Sequence, residues 1–96
     1  MKKLEEIQGI IKKNKQKLEE KFKVKSIAIF GSSVRGEQNE ESDVDIIVEF
    51  SEPVGFLFFH LANFLEKILD ANVDLTTPDA IKPNRQKYIM EDLVYV

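Results

Sequence analysis

Asp43 and Asp45 stand two residues apart among the aliphatic residues Val44, Ile46, Ile47 and Val48, and a third aspartate, Asp74, sits alone between Val73 and Leu75. Residues two apart in a strand leave the same face, with alpha carbons about 6.5–7 Å apart. Two carboxylates placed this way can grip hard cations through oxygen. Magnesium suits them, because it keeps waters and takes one or two carboxylates together with substrate phosphates. A third carboxylate on a neighbouring strand would complete a two-ion arrangement, one ion lowering the pKa of an attacking hydroxyl and the other holding phosphates. Asp74 is the candidate. From Glu37 to Glu52 there are seven acidic residues and no Lys or Arg. Such an excess is costly in self-repulsion unless something cationic sits within it.

Phosphates need a cradle of their own, and Gly31-Ser32-Ser33-Val34-Arg35-Gly36 offers one. Gly31 and Gly36 let backbone amides approach a ligand, and a helical turn capped by Ser32 aims its first amides outward. Ser32 and Ser33 add hydroxyl donors, while Arg35 either binds phosphate or pins the acidic loop. The stretch lacks the Gly-Lys-Ser/Thr ending of a P-loop. Asp-x-Asp alone fits a solvated strand end just as well. What carries weight is the ordered set of apolar strand, Gly-Ser turn, polar loop, Ser42-Asp43-Val44-Asp45 strand, helix and third Asp-bearing strand.

The elements that must position these residues are legible from periodicity. Leu4, Ile7, Ile11, Leu18 and Phe22 form one apolar stripe and predict a surface helix over the first 23 residues, interrupted in pattern at Asn14 and Lys15. Its lysines read as a solvated face. Lys25–Phe30 predicts a central strand, and Asp43–Phe50 a second one with Val44, Ile46, Val48 and Phe50 on one side. Phe56–Asp70 predicts a strongly apolar helix, with Phe56 and Phe59 at the edge of its buried face or on a partner surface. His60, on the same helix, is expected at a buried edge or interface, with no active role. Val73–Thr76 follows as a brief third strand. Pro78 and Pro83 mark helical starts, and Leu93–Val96 is an apolar tail suited to a last strand or an interface. The expected fold is α/β (α+β): a small mixed sheet of three to four strands with helices on one face. It forms a single domain over residues 1–96, with an N-terminal helix over 1–23 and a core over 25–96.

The composition, 43% hydrophobic and 32% charged, is that of an ordinary globular domain, and a net charge of −3 argues against bulk nucleic-acid binding. The chain has no cysteine and one histidine, which excludes a disulfide framework and a multi-histidine zinc site within the chain. The longest apolar stretch is too short to span a bilayer, and the first residues enter a charged amphipathic helix with no signal-like apolar run. A cytoplasmic location and no membrane partner are expected.

At this point the residues resemble a family. Gly31-Ser32-Ser33-Val34-Arg35-Gly36 followed by Ser42-Asp43-Val44-Asp45-Ile46-Ile47-Val48 looks like the signature of the polymerase-beta-type nucleotidyltransferases, with Val34 where that motif usually has alanine. The chain length points to the minimal nucleotidyltransferase group. The resemblance implies that Gly31 and Ser32 contact nucleotide phosphates, with Ser33, Arg35, Gly36 and Ser42 completing the nucleotide-binding set. It also implies that Asp43, Asp45 and Asp74 are the catalytic, magnesium-binding carboxylates. Family members of this size are commonly antitoxins that silence a HEPN-domain ribonuclease by moving AMP from ATP onto a tyrosine. ATP, two magnesium ions and a HEPN-domain partner are therefore expected. A template nucleic acid is not, since the length leaves no room for template-gripping domains. The apolar tail and Phe-rich helix also suit self-association. The rival reading is a non-catalytic nucleotide-binding module that inhibits its partner by covering it.

Overall fold

In the computed structural model, which describes residues 3–37 and 43–96, the chain builds a four-stranded sheet in the order β3-β2-β1-β4. Strand β1 (Val24–Phe30) pairs antiparallel with both β2 (Val44–Phe50) and β4 (Val94–Tyr95), while β2 pairs parallel with β3 (Val73–Thr76). Parallel neighbours need a crossover connection. The helix between β2 and β3 in the chain, Leu57–Leu69, supplies it.

The predicted N-terminal helix is in fact two, α1 (Leu4–Lys13) and α2 (Lys15–Lys21), with the break at Asn14. Asn14 Nδ2 donates to the Ile10 carbonyl at 2.9 Å, and its own backbone N–H bonds Ile11 O at 3.0 Å. An asparagine side chain that takes up a helical carbonyl in this way competes with continuation of the ladder. The apolar stripe nevertheless survives the break, because Ile7, Ile11, Leu18 and Phe22 are all buried.

These residues pack on one sheet face with Ile27 and Ile29 of β1 and Val44, Ile46 and Val48 of β2. Leu61, Leu65 and Leu69 of α4 (Leu57–Leu69; α3 is described below) close the same core. Full burial of each such side chain contributes about 1.5–3 kcal/mol. Phe64 stacks on Phe22 with ring centroids 5.1 Å apart, tying α4 to the end of α2.

For α4 the buried-edge alternative is corrected for Phe56, Phe59 and His60, which leaves the partner-surface or interface alternative for each. Phe56 and Phe59 are 83% and 62% exposed, so they are not the rim of a buried face. His60 is also exposed. It lies about 100° around the helix from the buried Leu61, and the core stripe is too narrow to reach it. Asp70 then ends the helix in a left-handed conformation (φ 50°, ψ 47°), and Ala71 N–H bonds Glu66 O at 3.4 Å.

After β3, Pro78–Ala80 forms a 3-10 turn and α5 (Pro83–Glu91) follows, each starting on its proline. This segment lies beside the opposite face of the sheet, where Ile81 and Ile89 flank a groove shared with Ser26, Ile47 and Glu49. Ala28, Ile47 and Asp45 are on that second face. The site is there as well.

Candidate active site

Register decides the site. Asp45 of β2 is the direct neighbour of Asp74 on β3, and on its other side it faces Phe30, the last residue of β1. Neighbouring strands run about 4.8 Å apart and paired residues share a face, so the two carboxylates leave the sheet side by side. Val44, Ile46 and Val48 on the alternate positions are buried in the core, which fixes Asp45 to the opposite face. Slipping β3 by one residue would turn Asp74 into the core. A clasp outside the ladder resists that slip: the Val73 N–H donates to Glu66 Oε2 at 3.1 Å, joining the last turns of α4 to the start of β3.

Asp45 is half-buried, whereas Asp74 and Asp43 are exposed. Burial, followed by the charges of Asp74 and Asp43, pushes the Asp45 carboxyl above its ordinary value; Arg35 and Arg85 pull the other way. The negative charge at Asp45 is thus held at a cost. Among the described residues no three acidic side chains already form a closed metal cage. The donors are nonetheless all carboxylate oxygens under like-charge repulsion, which is the chemistry that fits a hard divalent cation.

Gly31 follows β1 and caps the short helix α3 (Ser32–Arg35), correcting the expectation that Ser32 would be the cap. The Gly31 carbonyl accepts from Val34 N at 3.1 Å and Arg35 N at 3.2 Å. Its conformation, φ 75° and ψ −147°, is one that L residues avoid, and a β-carbon there would come within 2.3 Å of Asp45 Oδ2. A side chain at this position would force the Asp45 carboxylate to move. Gly36 ends the turn in the left-handed region (φ 72°), with open space around it.

A cleft of about 520 Å³ opens over these residues, and Gly31, Arg35, Asp45 and Asp74 line it. The arrangement brings together four of the expected site residues, with Asp43 close enough to Asp45 to act on its charge. Ser32, Ser33 and Gly36 do not line the cleft. Ser33 is buried, and its Oγ has no hydrogen-bond partner among the described residues. Ser42 lies outside the described residues. Arg35 is already engaged: Nη1 donates to Asp92 Oδ2 at 2.5 Å and Nε to Glu37 Oε2 at 3.2 Å. Of these partners only Glu37 belongs to the acidic segment; Asp92 stands at the end of α5. The Asp92 and Glu37 hydrogen bonds, in that order, raise its pKa above the ordinary arginine value.

The nucleotidyltransferase domain family matches residues 11–96, nearly the whole chain. The chain belongs to that family. It is 53% identical over 98 residues to "Putative protein adenylyltransferase MJ0128" of Methanocaldococcus jannaschii, covering 100% of both chains. It is 44% identical over 94 residues to protein adenylyltransferase MntA of Thermococcus cleftensis, covering 97% of this chain and 95% of the relative. Among solved structures, a toxin-antitoxin with AMP-PNP superposes with a TM-score of 0.68 at 26% identity, over 86% of this chain and 69% of that one.

The sequence reading missed the second wall of the cleft. Ile81, Lys82, Arg85, Tyr88, Ile89 and Asp92 all line it, brought there by the 3-10 turn and α5. The signal was present: positions 81, 85, 88, 89 and 92 repeat at helical spacing. The alternation of charge with apolar residues hid it, because a mostly exposed, polar helix looks like solvated surface.

Proposed function

We propose that this nucleotidyltransferase moves AMP from ATP onto a tyrosine hydroxyl of a HEPN-domain partner and so acts as its antitoxin. The observation that carries the reading is the side-by-side placement of Asp45 and Asp74 on neighbouring strands, at the mouth of a cleft against Gly31. The relatives support the acceptor class: the named adenylyltransferases modify protein, and a related structure, at 23% identity, holds a tri-AMPylated HEPN toxin of Shewanella oneidensis with its MNT antitoxin.

In the reaction, the acceptor oxygen forms a bond to the α-phosphorus as the bond from that phosphorus to the β-phosphate bridging oxygen breaks, and pyrophosphate leaves. Asp74, the exposed member of the pair, takes the acceptor proton. Asp45, with Asp43 and Asp74, would hold magnesium, which supplies charge neutralisation at the transferring phosphoryl group when bound. Gly31 lets the sheet edge approach the phosphates without a side chain in the way, and Arg35 braces α3 against Glu37 and Asp92 so that the Gly31 turn keeps its shape. A groove of this size admits a nucleotide beside one acceptor side chain.

The test is intact mass of a HEPN-domain partner incubated with this protein, magnesium and ATP. Added AMP units are expected with the natural sequence, and none with Asp45→Asn at unchanged fold. Tight complex formation with no mass shift would instead establish the non-catalytic covering module.

A further inference from the structure

We infer that Arg85 and Lys82 of the C-terminal segment form a clamp for the β- and γ-phosphates, distinct from the Gly-Ser turn, and so select a nucleoside triphosphate over a monophosphate. The inference rests on the nucleotide-transfer reading for the identity of the ligand, and on the two walls of the cleft for its geometry.

The sheet wall presents Asp45 and Asp74, and this is the wrong sign for a polyphosphate. Metal bound there would offset part of that charge, but the leaving pyrophosphate also needs donors of its own as its negative charge grows. Three basic residues line the cleft: Arg35, Lys82 and Arg85. Arg35 is paired with Asp92 at 2.5 Å and with Glu37 at 3.2 Å, so part of its donor set and charge is already committed to the protein. Among the described residues neither Lys82 nor Arg85 forms an ion pair. They are the cleft cations with no acidic partner among the described residues.

Their position fits the task. Lys82 immediately precedes α5 and Arg85 is in its first turn, so both project from one end of the helix across the cleft from β2 and β3. Arg85 is near enough for its charge to act on Asp45. A phosphate chain that starts beside Asp45 and Asp74 therefore reaches Arg85 within the same groove. A planar guanidinium matches phosphate oxygens in pairs, while lysine adds a mobile point charge. Without the clamp the cleft retains Asp45, Asp74 and the Gly31 turn. What the clamp adds is positively charged donors for the β- and γ-phosphates.

The test compares binding of ATP and of AMP to the full chain, each with magnesium, by calorimetric titration. Arg85→Ala is expected to weaken ATP roughly tenfold or more, the loss of hydrogen bonds to a charged group, and to shift AMP by less than about threefold. Arg85→Lys should recover part of the ATP affinity, and Lys82→Ala should give a smaller ATP-selective loss. Steady-state transfer by Arg85→Ala should show the deficit mainly in KM for ATP. Equal weakening of ATP and AMP, or unchanged ATP binding in both single variants, would overturn the clamp. If the natural sequence binds ATP with this selectivity but adds no AMP to any partner, the clamp stands and the transfer reading falls.

Discussion

Replacing Gly31 by alanine separates the demands of the backbone from those of the site. At φ 75° and ψ −147°, Gly31 occupies a region that is essentially closed to other residues. Placing a β-carbon there costs about 1–3 kcal/mol in backbone strain alone. The new carbon would also stand 2.3 Å from Asp45 Oδ2 and 3.2 Å from its Cγ. Ordinary contact between such atoms is about 3.5 Å, so the carboxylate must recede by about 1 Å or more. Displacement of a reacting group by that distance costs roughly a hundredfold in rate. A domain of this length is stable by about 5–14 kcal/mol, so Gly31→Ala should remain folded while losing the site.

Gly36→Ala is the matched control. Gly36 is also at positive φ, 72°, but has nothing within 4 Å of a built β-carbon. The left-handed strain there costs about 1–2 kcal/mol, so Gly36→Ala should lower the urea midpoint, by less than Gly31→Ala does. Transfer rates per folded molecule should then differ by roughly a hundredfold in favour of Gly36→Ala. Transfer by Gly31→Ala within a few-fold of the natural sequence would refute the claim that the glycine exists to make room for Asp45. Equal loss in the two variants would show that helix strain, and not the contact with the carboxylate, sets the activity.

Two further outcomes follow from the same geometry. Asp45→Asn should stabilise the fold at neutral pH. The folded state holds this carboxyl above its ordinary value, so its charged form destabilises once pH exceeds that folded value, and the penalty fades as pH falls toward the ordinary aspartate range near 3.8. Urea melts over a pH series should show a gain for the variant that shrinks with acidification; a gain independent of pH would contradict the electrostatic account. Glu66→Ala removes the acceptor of the Val73 N–H and should cost about 1–2 kcal/mol, with slower transfer because Asp74 is the next residue. Glu66→Gln keeps a carbonyl acceptor and should restore most of both in the same melts and rate assays.

Much of this site could be read in the chain because strand chemistry is short-ranged. Alternation around Asp45 assigns its face, the apolar neighbours of Asp74 make it conspicuous, and Gly31 at the end of an apolar run announces a turn. The third strand and the proline-started helical segments are visible for the same reason. What escaped is non-local or depends on atoms. The interruption at Asn14 and Lys15 is legible in the pattern, but that the Asn14 side chain takes the Ile10 carbonyl and divides the helix in two is not. Ser33 has the residue type of a phosphate donor, yet a one-residue step on a four-residue helix turns it inward. Lys82 and Arg85 acquire meaning only when α5 folds back over the sheet, and the segment between contains no pattern that states where it returns.

The placement of charge links the fold to the chemistry. Core packing of Val44, Ile46 and Val48 leaves Asp45 no alternative to the open face, and the parallel ladder with β3 leaves Asp74 beside it. Neither constraint involves a ligand, so the repulsion between the two is built in during folding and cannot relax by a register shift without burying a carboxylate. Arg35 offsets some of it, while also pairing with Asp92 and Glu37. On the sheet wall the two carboxylates are only partly offset by Arg35 and Arg85, and a cation bound between them would relieve the remaining repulsion. Each cation that binds there creates the positive field that a polyphosphate needs, and the polyphosphate in turn supplies the cation with further oxygen ligands. Binding of metal and nucleotide should consequently be mutually reinforcing, each raising the affinity of the other by the same factor.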